Sequence, residues 1–481
     1  MQRQRAFADR LGHRDPSDLV EGTMVVLPSA TFAVDELRKI TAIVHYEERM
    51  LFTALLLRCP RRRLVYLTSL PVDETIVEYY LRFLPDPIGA RRRMHLVSLG
   101  DGGPKPLTHK LLDRPDVMGR VRELVDDDGA FVLPFNVTAA EGRLADALDL
   151  PFYGAGPHLA FLGSKAGSRQ VARRAGVAVP AGSEGHHSLA QVEDAVEAIR
   201  DRRPGVQAVV IKLNEGFSGQ GNAIVDLNGP VGPLPGSRTT FCAADESWSS
   251  YPAKIARDGA VVEELLGQQG KASPSVQMRI APSGTYEVLS THDQILGGNA
   301  DQVYLGCRFP ADGAYRLAIQ ESARSVAEVL AGEGVIGSFG IDFLVVPGHD
   351  EGGLYLSEIN LRLGGTTHPY WMARLATDGK YDPTTGELMA GDRPTCYVAT
   401  DNLKSEHLLG HRPGQVIDAV DRAGLGYDPV TRTGATLHLL GAVERFGKMG
   451  ATCVAGSAED AEDLYREVLG VITALGDAPR P

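Results

Sequence analysis

The chain has 481 residues, too many for one compact core and enough for three or four domains. It carries 49 Lys and Arg against 61 Asp and Glu, a formal net charge of −12, which argues against a general electrostatic grip on nucleic acid or an anionic membrane but still allows a local basic groove. A hydrophobic content of 43% excludes a mainly disordered chain, and no apolar run approaches the roughly 20 residues of a membrane-spanning helix. The start, MQRQRAFADRLGHRDPSD, has charge without a following apolar stretch and does not read as a signal peptide. Five widely spaced cysteines, an odd number with no Cys-x-x-Cys pair, suit reduced thiols rather than a disulfide framework. The expectation is a cytoplasmic multidomain enzyme.

Taken in chain order, residues 1–150 read as alternating strand and helix. Short buried strands start at Met24, Leu64, Met94 and Phe131, and a helical stretch follows the first through Val34, Leu37, Ile40 and Val44. That alternation predicts a parallel, doubly wound α/β sheet. The triplets Arg61–Arg63 and Arg91–Arg93 precede buried strands and read as solvated turns. Residues 151–260 hold a helix within Phe161–Gly176, more helix up to Arg202, and then QAVVIKL, a glycine-rich turn and NAIVDL, which together predict an antiparallel hairpin. Across 261–400 strand runs dominate (VVEELL, SVQMRI, TYEVLST, FGIDFLVV, LYLSEIN), broken by a helix through Leu317, Ile319, Val326 and Leu330, a pattern of α+β lobes. Residues 401–481 form a helix-and-strand extension ending in an amphipathic helix.

Two segments could carry chemistry. In IKLNEGFSGQGNAIV, Lys212 ends a strand and Gly216, Phe217, Ser218, Gly219, Gln220 and Gly221 form the turn. Glycines let backbone N–H groups approach an anion and lysine adds a point charge, yet the spacing is neither Walker A nor a dinucleotide fingerprint, and an ordinary hairpin loop fits equally well. In FGIDFLVVPGHDEGGLYLSEINLRLGG, the period of two puts Glu358 and Asn360 on one face, and the connection folds them back opposite Asp342. Three oxygen donors on one face suit Mg²⁺, and Arg362 follows two residues later. VVEELL sets Glu263 and Glu264 before Leu265 and Leu266, which on pattern alone is an edge strand. The pair His407 and His411 reads as a helix-surface pair, Trp248 and Trp371 as packing residues, and His292 and His368 as either structural or substrate-facing.

Lys165, Lys212 before its hairpin, Glu-Glu-Leu-Leu and Asp342…Glu358-x-Asn360-x-Arg362 occur in an order that resembles the ATP-grasp superfamily over roughly residues 151–400. Within it, LSTHDQIL, YLGCRFPA and EINLRLGGTTHP look like the peptide ligase of pheganomycin biosynthesis and its relatives. The resemblance implies an ATP-grasp fold, two α+β lobes clasping ATP, with an N-terminal doubly wound α/β domain and a small C-terminal domain. It implies that Lys165 and Lys212 contact phosphates, that the Gly216–Gly221 loop closes over them, and that Glu263 to Leu266 border the adenine. It further implies that Asp342, Glu358 and Asn360 hold one or two Mg²⁺ ions, and that Arg279, Gln294 and Arg362 contact the transferring phosphoryl group or the acyl substrate. Two positions depart from the pattern: Gln277 stands where many members have Glu, and Gly340 where the D-alanine ligase branch has Arg.

The implied activity is ATP-dependent joining of an amino-acid-like carboxylate to an amine or peptide acceptor, with ADP and phosphate released. The partners are small molecules rather than nucleic acid or membrane, and a homodimer is the default oligomer. A carboxylase-like enzyme using bicarbonate and a non-catalytic nucleotide-binding regulator are the alternatives.

Overall fold

A computed structural model describes residues 2–125, 129–216, 221–229, 233–236, 238–243, 246–267, 270–297, 303–349 and 351–475. The four N-terminal strands, Glu21–Leu27, Arg61–Thr68, Met94–Ser98 and Phe131–Pro134, pair in parallel, with the first strand between the second and fourth. Val25, Val26 and Leu27 are all fully buried, because helices cover both faces of a parallel sheet and the strand must be apolar on both.

The helical pattern through Val44 is interrupted. A helix covers only Val34–Arg38, Ala42 turns left-handed (φ 62°), and Ile43–Arg58 forms a 16-residue 3₁₀ segment. Runs this long are uncommon for 3₁₀ geometry. Here the whole stretch from Met50 to Leu57 is buried, so tertiary packing overrides the helical spacing. The arginine triplets are not simple solvated turns either. Arg62 is 2% exposed and donates to the Pro16 carbonyl (3.0 Å), while Arg93 donates to the carbonyls of Leu57 (2.7 Å), Cys59 (2.8 Å) and Arg62 (2.9 Å).

The second unit is a five-stranded antiparallel sheet ordered Gly182–His186, Ala260–Glu264, Ala208–Leu213, Asn222–Asp226 and Thr239–Phe241. Ala260–Glu264 is interior, so the edge-strand pattern of VVEELL does not describe it: a partner lies on each side. The expected hairpin is present, with Lys212 opposite Asn222.

The third unit is a large antiparallel sheet. From one edge it runs Leu354–Asn360, Gly337–Val345, Pro274–Ile280, Tyr286–Gly297, Val303–Phe309 and Arg393–Lys404. The helix Arg316–Gly332 packs on it through Ile319, Ala323, Val326, Ala327 and Leu330, a helical stripe from which Leu317 turns away at 50% exposure. Arg393–Lys404 also pairs with Lys448–Ala455, which pairs with Gly434–His438. The divisions expected at 260/261 and 400/401 therefore each cut a strand, because the antiparallel ladders run through both places.

The N-terminal unit is fastened to these last strands. Leu437 N–H donates to Tyr79 Oη (2.8 Å), Tyr80 Oη meets His438 Nδ1 (3.0 Å), and Gly441 N–H donates to Glu48 (3.0 Å). Among the described residues no helix is long and apolar enough to cross a membrane, and all five cysteines are free thiols.

Candidate active site

Lys165 opens the helix Lys165–Arg174, whose N-cap Ser164 accepts from Gly167 N–H (3.1 Å). The lysine is 6% exposed; its Nζ lies 3.0 Å from Glu358 Oε2 and donates to the Gly216 carbonyl (2.8 Å). One side chain thus joins the acidic strand of the large sheet to the entry of the glycine-rich turn. Phe217, Ser218, Gly219 and Gln220 lie outside the described residues. Gly221 leaves the turn at φ +80°, where a Cβ would be strained and would sit 3.0 Å from Leu213.

Lys212, next to last in the strand Ala208–Leu213, has its Nζ 2.6 Å from Glu263 Oε2. Arg169 meets the other Glu263 oxygen and lies 3.0 Å from Glu184, so Glu263, 2% exposed, sits between two cations. Burial alone would push its carboxyl up, but Lys212 and Arg169 together hold it below the usual carboxylate range. The N–H groups of Glu264 and Leu265 are already engaged, with the carbonyls of Ala181 (2.7 Å) and Ala208 (3.0 Å). Leu266 packs against Val346 and Tyr355.

Asp342 and Glu358 are direct cross-strand partners, as are Gly340 and Asn360, and a bulge follows Asp342. Asn360 Nδ2 donates to Asp342 Oδ2 (3.0 Å) and Gln294 Nε2 to Oδ1 (2.7 Å). Desolvation in the cleft and then the neighbouring Glu358 raise the Asp342 carboxyl to about 7. Desolvation acts on Glu358 in the same sense, but Lys165 and Arg362 outweigh it and lower that carboxyl. Two carboxylates forced side by side, with an amide beside them, fit Mg²⁺, which takes one or two carboxylates and fills its remaining positions with water or phosphate oxygens. Among the described residues no group of three or more His, Cys, Asp and Glu converges, so this donor set depends on Asn360.

One cleft of about 380 Å³ lies between the three units, and Glu263, Glu264, Leu265 and Leu266, expected beside the nucleotide, are not on its wall. Lys165, Lys212, Gln294, Asp342, Glu358, Asn360 and Arg362 all reach it, and the Arg362 guanidinium lies 5.5 Å over the Phe32 ring of the N-terminal unit. Gln277 lines it too and accepts from the Thr367 hydroxyl (3.3 Å).

Arg279 does not reach it. The period of two points Ser275, Gln277 and Arg279 to one face, but each such step advances roughly 7 Å along the strand and carries Arg279 past the cleft. There it is 6% exposed and held by Glu287 (2.8 Å), Asp15 (3.6 Å) and the His13 carbonyl (3.2 Å). The expected catalytic contact is thus replaced by an internal strut.

Other residues settle as packing. His292 is fully buried against Tyr397 Oη (2.7 Å), and burial pushes its imidazole down to about 3. His368 is 3% exposed and packs edge-on to His438 (5.1 Å). His407 lies in a 3₁₀ turn, Glu406–Leu408, and His411 is buried beyond it, so no helix presents them as a surface pair. Trp248 packs on Phe241 and Tyr251, and Trp371 stacks on Phe52.

Sequence reasoning missed five cations of the cleft wall: Lys39 and Arg49 from the N-terminal unit, Lys271, and Lys404 and Lys448 from the last strands. With Lys165, Lys212 and Arg362 they make eight cations against the acids Asp342, Glu358 and Asp401. A concentration of positive charge in a chain of net charge −12 suits a polyanionic ligand.

The IQCH-like ATP-grasp family matches residues 238–383, and the PGM1 C-terminal domain matches residues 415–468. L-propargylglycine–L-glutamate ligase of Streptantibioticus cattleyicolor is 31% identical over 479 residues, spanning 97% of this chain and 96% of that protein. IQ motif-containing protein H of Danio rerio is 19% identical over 78% of this chain and 41% of its own length. Among solved structures, an N5-carboxyaminoimidazole ribonucleotide synthetase in complex with ADP has a TM-score of 0.54 at 12% identity, covering 95% of this chain and 98% of its own. Biotin carboxylase of Campylobacter jejuni has a TM-score of 0.55 at 13% identity, covering 95% of both. Those two likenesses are of fold alone and give no case for bicarbonate chemistry, whereas the ligase matches nearly end to end. The chain belongs to the ATP-grasp superfamily, in the family of ATP-dependent carboxylate–amine ligases that includes L-propargylglycine–L-glutamate ligase.

Proposed function

We propose that this enzyme joins the carboxylate of one amino-acid-like substrate to the amine of a second amino acid or short peptide through an acyl phosphate. The observation that carries the reading is the Asp342–Glu358 pair, flanked by Lys165 and Arg362 at the wall of a cation-rich cleft. The activity of the Streptantibioticus relative, which joins two amino acids, supports amino acids on both sides.

A carboxylate is a poor acyl donor because its leaving group would be oxide. In the first step its oxygen attacks the γ-phosphorus of ATP; the new O–P bond forms as the P–O bond to ADP breaks. In the second the amine nitrogen attacks the acyl carbon, the C–O bond to phosphate breaks, and the nitrogen gives up a proton. Lys165 and Lys212 neutralise phosphate charge, with Glu263 and Arg169 fixing the position of Lys212. Arg362 faces the transferring group and Gln294 orients Asp342. One or two Mg²⁺ ions held by Asp342, Glu358 and Asn360 would supply further neutralisation of phosphate oxygens. No side-chain nucleophile is needed. The reading places the enzyme in the cytoplasm, with a homodimer as its assembly.

Mass spectrometry of amide products from a pool of amino acids and short peptides with ATP and Mg²⁺ tests it. A condensation product with ADP and phosphate in equal amounts is expected; AMP and pyrophosphate would contradict the acyl-phosphate route.

A further inference from the structure

At the corner of the cleft farthest in sequence from the ATP-grasp motifs, three charged side chains meet. Arg49 comes from the 3₁₀ segment of the N-terminal unit, Asp401 from the strand Arg393–Lys404, and Lys448 from the strand beside it. Lys448 is 2% exposed, yet its Nζ donates to a neutral group, Tyr46 Oη (2.7 Å). Arg49 Nη1 lies 3.2 Å from Asp401 Oδ2, its guanidinium is held over the rings of Tyr46 (4.5 Å) and Phe135 (4.9 Å), and its Nε is buried without a hydrogen-bond acceptor. All three line the cleft. Asp401 thus pairs with Arg49, and among the described residues no carboxylate lies within ion-pair distance of Lys448. Burying an ammonium against a phenol alone is unfavourable unless an anion joins it. Arg362 and the Asp342–Glu358 pair line the same cleft as this corner.

We propose that Arg49 and Lys448 form the subsite for the α-carboxylate of the amine-bearing substrate, so that this substrate is a free α-amino acid. The assignment rests on the ligase reading above. The carboxylate that becomes activated must lie at the phosphate, beside Lys165 and Glu358, and it is consumed by the reaction. The carboxylate of the incoming amino acid survives and needs a permanent counter-charge. An ammonium group would require acids in excess, whereas here cations outnumber them. Asp401 holds the Arg49 fork in place, and the planar guanidinium offers paired donors to a carboxylate.

The test compares binding of the protein amino acids and of their α-amides by saturation-transfer NMR in the presence of ADP, for wild type, Arg49→Gln and Lys448→Met, with ligation followed in parallel by ADP release. At least one amino acid should bind wild type about tenfold or more tightly than its amide, and either variant should erase that preference. The KM for ATP should stay within about twofold of wild type, because neither residue is placed at the nucleotide. Lys448→Met carries the test alone should Arg49→Gln fail to fold. Equal binding of acid and amide, no amino acid binding to wild type, or a preference that survives in the folded variants would overturn the subsite. Product formation that accepts amides as readily as acids would overturn it and leave the ligase reading standing. Selective acid binding lost in both variants, without ADP release for any pair, would do the reverse.

Discussion

Replacing Glu263 by Gln removes the one negative charge between Lys212 and Arg169. Glu263 and Arg169 are each 2% exposed and Lys212 lies 2.6 Å away, so the amide leaves Lys212 without its carboxylate and Arg169 with Glu184 alone. Breaking a buried pair by deleting one partner costs about 3–5 kcal/mol. The neighbouring Glu264 is the control: its partner Arg203, at 3.0 Å, is 35% exposed, and Glu264→Gln should cost about 1 kcal/mol or less. Urea unfolding followed by tryptophan fluorescence reads the difference, since Trp248 packs in the same unit. The pH dependence has a definite sign. The folded carboxyl of Glu263 lies below its unfolded value of 4.5, so its contribution is complete above 4.5 and is lost as pH falls through the depressed folded value. Glu263→Gln should flatten that acid limb. Lys212, released from its partner, should also hold the nucleotide less well, raising the KM for ATP by about tenfold, the equivalent of one charge-assisted hydrogen bond. A Glu263→Gln enzyme as stable as wild type would refute the energetic argument. Destabilisation with an unchanged KM would make the pair purely structural and remove Lys212 from the nucleotide site.

Glu358→Ala should abolish Mg²⁺-dependent ADP release while leaving the circular dichroism spectrum unchanged, since the side chain is half-buried on the cleft wall; undiminished turnover would remove it from the metal set. Arg279→Gln should lower the unfolding midpoint, because it empties a strut between Asp15 and Glu287, and shift both substrate KM values by no more than about twofold; a large kinetic defect in a stable protein would return Arg279 to the site. Burial pushes His292 and His438 down to about 3, so each is neutral when folded, and stability should fall as pH drops from 6.5 towards 3, by up to about 1.4 kcal/mol per pH unit for each. His438→Gln should reduce that slope in pH-dependent denaturation; an unaltered slope would show that His438 protonates freely in the fold.

The cluster of Asp342, Glu358, Asn360 and Arg362 was readable because its parts are local. Glu358, Asn360 and Arg362 share a face through the period of two, and the short connection after Val345 returns that face to Asp342, so neighbours along the chain meet in space. The parallel order of the N-terminal strands follows equally from their alternation with helical segments. The position of VVEELL was not readable, since an interior strand with a buried acid carries the same letters as an edge strand with a solvated one. Only the cations arriving from Arg169 and Lys212 make Glu263 tolerable inside.

By itself, then, the sequence determined most of the strands, which of their side chains share a face, and that Asp342, Glu358 and Asn360 gather at one place. Periodicity along one element sets those directly. The tertiary structure decided which distant elements close the cleft. It removed Arg279, which shares a face with Gln277 but lies too far along the strand, and it brought Arg49 and Lys448 together across nearly the whole chain. No spacing rule encodes that meeting. It follows from the ladder that joins Lys448–Ala455 to Arg393–Lys404 and from the packing of Tyr79 and Tyr80 against the closing strand, contacts whose energy exists only once the whole chain has folded.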